Sequence, residues 1–101
     1  MVTYEVTTIV EAPLVEAYER YMRGVHIPDL LATGCFDGAT FTRGTAGRYR
    51  IRYEAPSEAA LEDYLATHAA RLRAVFASHF PEGVTATREV WVAVESWTRQ
   101  G

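Results

Sequence analysis

Apolar and polar positions along this chain alternate with two periods, two residues and about 3.6 residues, and the switches between them outline the fold. From Thr3 to Val10 the period is two, with Tyr4, Val6, Thr8 and Val10 on one side and Thr3, Glu5, Thr7 and Ile9 on the other, which predicts a strand. Pro13 opens a helical pattern in which Leu14, Tyr18, Tyr21, Met22 and Val25 recur three or four residues apart, opposite Glu16, Glu19, Arg20 and Arg23. Pro28 lacks an amide hydrogen and crowds the carbonyl of Gly24. The pattern therefore predicts a break between Gly24 and Pro28, with Ile27 extended and a short second helix over Pro28 to Thr33, capped by Gly34 in the left-handed region. A strand from Phe36 to Arg43, a turn at Gly44-Thr45-Ala46-Gly47 and a strand from Arg48 to Ala55 follow. In the last of these, Tyr49, Ile51 and Tyr53 alternate with Arg48, Arg50, Arg52 and Glu54, so a hairpin with one face on a core is expected. Ser57 is placed to cap one continuous helix carrying Leu61, Tyr64, Leu65, His68, Leu72, Val75 and Phe76 on its apolar stripe. Phe80-Pro81-Glu82-Gly83 ends it, and Val84 to Trp97 reads as a long final strand.

The order strand, helix, strand, strand, helix, strand predicts a ferredoxin-like α+β fold: a four-stranded antiparallel sheet with two helices on one face, as a single domain over residues 1–101. Two helices leave the other sheet face bare, with Glu5, Arg50, Arg52, Glu89, Trp91, Glu95 and Trp97 directed away from them. Sheet-on-sheet pairing of two copies would cover both tryptophans and pair the charges, so a homodimer through sheet faces and last strand is expected.

Composition narrows the function without naming it. A net charge of −3 with scattered basic residues gives no footprint for nucleic acid or an anionic membrane, and the chain has no membrane-length apolar run. The single cysteine, Cys35, excludes an internal disulfide, and the lack of a signal-like amino terminus points to the cytoplasm. Phosphate loops, nucleophile elbows and paired catalytic carboxylates are absent from the sequence.

Two motifs carry a resemblance: His26-Ile27-Pro28-x-Leu30-x-x-Thr33-Gly34-x-Phe36, and Tyr64-x-x-x-His68-Ala69-x-x-Leu72-Arg73 downstream of Tyr53. Together they resemble a family of small bacterial proteins of unknown function within the dimeric α+β barrel superfamily. The resemblance implies the fold and the dimer. The superfamily contains cofactor-free monooxygenases, isomerases, haem enzymes and proteins without assigned activity, so it implies no one chemistry.

The sharpest candidate chemistry lies in the histidines. At about 1.5 Å per residue, His26 and His68 fall at comparable heights on antiparallel helices. With Asp29, Tyr64 and Arg71 or Arg73 nearby they would form a general-base pocket or a metal site; the competing and weightier reading is that they only satisfy backbone and core hydrogen bonds. No cofactor is expected and no metal site is assigned, because two histidines and one carboxylate fall short of a catalytic zinc set. Arg43, Arg50 and Arg52 either grip an anion or pair with sheet-face carboxylates. Cys35 reads as a small buried thiol. The leading expectation is a protein that binds a small aromatic or anionic metabolite between helices and sheet, with His26, Asp29, Tyr53, Tyr64, His68 and Arg43 as ligand-binding candidates. A cofactor-independent enzyme using His26 or His68 as general base is the alternative, and a structural or interaction dimer without a ligand is the third class.

Overall fold

Strand β1 (Val2–Val10) is the spine of the sheet, paired on both sides along nearly its whole length. In this computed structural model, which describes residues 1–100, the strand order is β2-β3-β1-β4 and every pairing is antiparallel. β2 covers Gly38–Arg43, β3 Arg48–Ala55 and β4 Val84–Val92. Two helical arms cross one face: α1 (Val15–Tyr21) leads into α2 (Ile27–Leu31), and α3 (Glu58–Thr67) into α4 (Ala69–His79). This is the ferredoxin-like fold that the alternation predicts.

Period-two patterning places the core. Val2, Tyr4, Thr8 and Val10 of β1 and Tyr49, Ile51, Tyr53 and Ala55 of β3 are buried beneath the arms, where they meet Tyr18, Met22, Leu30, Leu61, Tyr64 and Leu72. The hairpin between β2 and β3 closes through hydrogen bonds from Gly44 N to Arg48 O and from Arg48 N to Thr45 O, with Ala46 and Gly47 at positive φ. Gly47 also takes the end of β1, since its carbonyl accepts from Val10 N at 2.8 Å. A Cβ at Gly47 would collide with the Val10 carbonyl.

Four elements depart from the sequence pattern. The first arm does not break at Pro28. Residues Met22–His26 form a π turn, in which the Ile27 amide donates to the Met22 carbonyl, and Ile27 is helical at φ −63°, ψ −46°. The wider turn carries one extra residue and shifts the carbonyls that the proline ring would meet, so the helix runs on to its left-handed cap at Gly34. The second arm, expected to be continuous, bends at His68 (φ −117°, ψ −31°). β2 starts at Gly38 rather than Phe36, because Phe36 turns into the core while Asp37 N bonds to Glu54 O. β4 ends at Val92, not Trp97. Its ladder partner β1 begins at Val2, and after one further bond from Ala93 N to Met1 O the chain has no strand to pair with. Trp97 accordingly lies beyond the sheet, 80% exposed.

Candidate functional site

The arms and the sheet enclose a cleft whose position follows from the register. Tyr4 and Val6 of β1 pair with Tyr53 and Ile51 of β3 on one side, and Val6 and Thr8 pair with Arg88 and Ala86 of β4 on the other. Tyr18, Met22, His26 and Leu30 close it from the first arm, and Tyr64, Arg73 and Phe76 from the second. About 60 Å³ of the cleft is open to the centre of a water molecule, room for a few waters before any side chain moves.

His26 reaches the cleft because the π turn adds a residue to the first arm. Its ring lies edge-on to Phe76 at 5.3 Å and near Tyr21 at 6.1 Å. Burial lowers its pKa to about 4; nearby Asp29 pulls upward, and Arg88 pushes down. The imidazole is thus neutral at pH 7 and free to accept a proton or a hydrogen bond. Burial moves the cleft tyrosines the other way: Tyr64 and Tyr18 to about 12, and Tyr53 further upward. All three are therefore hydroxyls at neutral pH. Tyr18 shares a 2.7 Å hydrogen bond with Thr8, and Arg73 donates to Tyr4 Oη at 2.9 Å.

Of the six candidate binding residues, the structure brings His26, Tyr53 and Tyr64 together on the cleft wall. Asp29 stays on the exposed side of α2, acting on His26 only through its charge. His68 stacks on Tyr64 with ring centroids 6.4 Å apart but lies outside the lining, toward Cys35 and Asp63. Arg43 sits away from the cleft, where its Nε and Nη2 each donate to Glu19 at 2.8 Å. The Tyr49 hydroxyl joins at 2.5 Å, so the group ties α1 to the hairpin. Glu19, held by Arg43 and Tyr49, has its carboxyl lowered to about 2. On the opposite sheet face Arg52 Nε donates to Glu5 Oε2 of the same chain at 3.4 Å.

Arg88 is the lining residue that sequence reasoning missed. The signal was present: Val84, Ala86, Val90 and Val92 share the apolar phase of β4, and Arg88 is a lone cation in that phase.

A model for a domain of unknown function, DUF4286, matches residues 1–94. The chain belongs to the DUF4286 family. No curated protein matches it in sequence. Among solved structures, it is similar to a Deinococcus radiodurans protein described as a candidate antibiotic biosynthesis monooxygenase, with a TM-score of 0.71 at 18% identity, all of both chains being covered. It is also similar to a point variant of SnoaB, a cofactor-independent oxygenase from Streptomyces nogalater, at TM-score 0.68 and 18% identity over 97% of each chain. A dimeric ferredoxin-like protein from an uncultured marine organism aligns at TM-score 0.68 and 13% identity over 98% of this chain and 100% of that one. Identities this low establish a shared fold. This DUF4286 chain therefore has the ferredoxin-like architecture, and no helix among its described residues is long and apolar enough to cross a membrane.

Proposed function

We propose that this chain acts as a homodimer whose helix–sheet cleft holds a small aromatic metabolite bearing a carboxylate or similar anion. One observation carries the reading: Arg73 and Arg88 open into a wall of aromatic and aliphatic side chains that includes no acidic residue. Among the described residues neither arginine is in an ion pair. An aromatic anion would satisfy both features, its ring against Tyr64 and Phe76 and its charge at the guanidinium forks.

The homodimer is supported by the bare sheet face. Trp91 is 54% and Ile9 59% exposed there, and Glu5, bridged to Arg52 of its own chain, stands directly opposite Glu89, whose charge a second copy's Arg50 would meet. The marine protein above is itself described as dimeric.

A thermal-shift series of aromatic carboxylates and their neutral amides tests the ligand class. At 100 times its dissociation constant a bound acid stabilises by about 2.7 kcal/mol. The acids should raise the melting temperature, the amides should not, and Arg88→Gln should abolish the difference. Equal shifts from acid and amide, or none from any acid, would overturn the reading.

His26 supports a second reading, a cofactor-independent oxygenase. A neutral imidazole within the cleft can accept the hydrogen bond of a phenol, but with its pKa at about 4 it takes that proton only where Arg73 and Arg88 stabilise the phenolate, and SnoaB is described as an oxygenase without cofactor. Oxygen uptake with phenolic acids, lost in His26→Gln while ligand-induced stabilisation persists, would favour it over simple binding.

A further inference from the structure

We propose that Cys35, Asp63 and His68 form a binding site for a divalent cation of the zinc class, separate from the cleft. Each residue offers a ligand atom, and the three atoms lie within 4.8 Å of one another. Chain separation gives no hint of this, for Cys35 follows the glycine cap of the first arm while Asp63 and His68 belong to the second. Five residues apart on a regular helix, Asp63 and His68 would diverge by about 140°. The bend at His68 brings them onto a common side.

The spacing suits an ion. Tetrahedral zinc, with about 2.3 Å to sulfur and about 2.0 Å to oxygen, separates two such ligands by about 3.5 Å. Cys35 Sγ and Asp63 Oδ2 are 3.4 Å apart. Thiolate, imidazole and carboxylate together are a borderline-soft set that favours zinc over magnesium or calcium, and three protein ligands leave a fourth position for water. A second layer is in place: the Thr67 hydroxyl donates to Asp63 Oδ1 at 3.3 Å, and Cys35 N is held by Thr33 Oγ1 at 3.3 Å. Cys35 is buried, His68 half-buried and Asp63 exposed, so the ion would enter from solvent on the carboxylate side and meet the thiol last. Binding deprotonates the thiol, whose proton leaves to solvent. Arg71 Nη2 stands 3.4 Å from His68 Nδ1. As an exposed side chain it swings to solvent when the ion arrives.

Tag-free protein titrated with Co²⁺ supplies the test. One equivalent should produce a thiolate-to-cobalt charge-transfer band in the near ultraviolet, with the intense visible bands of a four-coordinate ion, and Zn²⁺ should bleach both. Cys35→Ser should abolish the charge-transfer band. Asp63→Asn and His68→Gln, which alter accessible side chains and should keep the wild-type circular dichroism, should each weaken Co²⁺ at least tenfold. Absence of the band in folded wild type, or its survival at unchanged affinity in both of those variants, would overturn the assignment. Arg88→Gln, which removes the anion-binding arginine of the cleft, should leave the cobalt titration unchanged; a parallel loss would tie the ion to the cleft and overturn the separate site.

Discussion

His26 shows how far burial alone can change one side chain. Its pKa in the folded protein is about 4, below the ordinary value of 6.5, so between those values the unfolded chain binds more protons than the folded one. The stability His26 contributes is complete above pH 6.5 and is lost as pH falls toward 4. Urea midpoints measured from pH 7 to 4 should therefore decline, with a shallower decline in His26→Gln. Tyr21 presents the opposite situation. Its hydroxyl is buried without a hydrogen-bond partner, although the ring packs on His79 at a centroid distance of 4.4 Å and on Phe80 at 5.6 Å. Removing an unpaired buried polar atom while keeping the ring relieves its desolvation, so Tyr21→Phe should be neutral or up to about 1 kcal/mol more stable in denaturant titration. At Gly47 both conformation and space forbid a side chain, since φ is +79° and a Cβ would strike the Val10 carbonyl. Gly47→Ala should lower the melting temperature by more than the same change at Gly24, where a Cβ meets nothing within 4 Å.

At the scale of elements, the α1 helix is pinned to the hairpin by Glu19, and the pin depends on its charge. Arg43 and Tyr49 both bond to the Glu19 carboxylate and depress its pKa to about 2 from the usual 4.5. A carboxylate with a lowered folded pKa stabilises fully above its unfolded value and loses that contribution as pH falls through its folded one. Glu19→Gln should thus lower the denaturation midpoint at pH 6, and its deficit relative to wild type should narrow as pH drops from 4.5 toward 2. The same scale shows where local sequence signals lose to tertiary packing. Pro28 signals a break, yet Met22 and Leu30, each 2% exposed on either side of it, hold the arm on the sheet, and a π turn admits the proline without ending the helix. His68 gives no local signal at all, being neither proline nor glycine, yet the second arm bends there. Tyr64, Ala69 and Leu72 are all buried on either side of that bend.

For the whole molecule, the open face of the sheet is the unfinished surface. Trp91, Ile9 and the opposed Glu5 and Glu89 belong to one side of β1 and β4, and β4 is an edge strand. Light scattering should give twice the 11.3 kDa chain mass at micromolar concentration, and Trp91→Arg should return it to the single-chain value with the circular dichroism unchanged. Much of the molecule was legible in order of residues. Alternation in β1 and β3 defined the sheet and its buried face, and the helical stripes and the Ser57 cap, whose Oγ accepts from Ala60 N at 3.1 Å, set the arms. Half of the candidate site was legible as well, because His26, Tyr53 and Tyr64 sit on apolar phases that must converge between the layers. His68 and Arg43 shared that property in sequence but diverged in space, one turned toward Cys35 by the helix bend and the other drawn to Glu19 at the sheet margin.

The sequence by itself determined the layers, the strand order implied by hairpin and crossovers, and the faces that are buried, because periodicity depends only on residues a few positions apart. Tertiary structure alone decided which cations open into the cleft, that Pro28 would be accommodated in a π turn, and that Cys35 would meet Asp63. Those outcomes depend on strand register and on a single bend or inserted turn in each arm, where one residue rotates every side chain beyond it by about 100° around the helix axis.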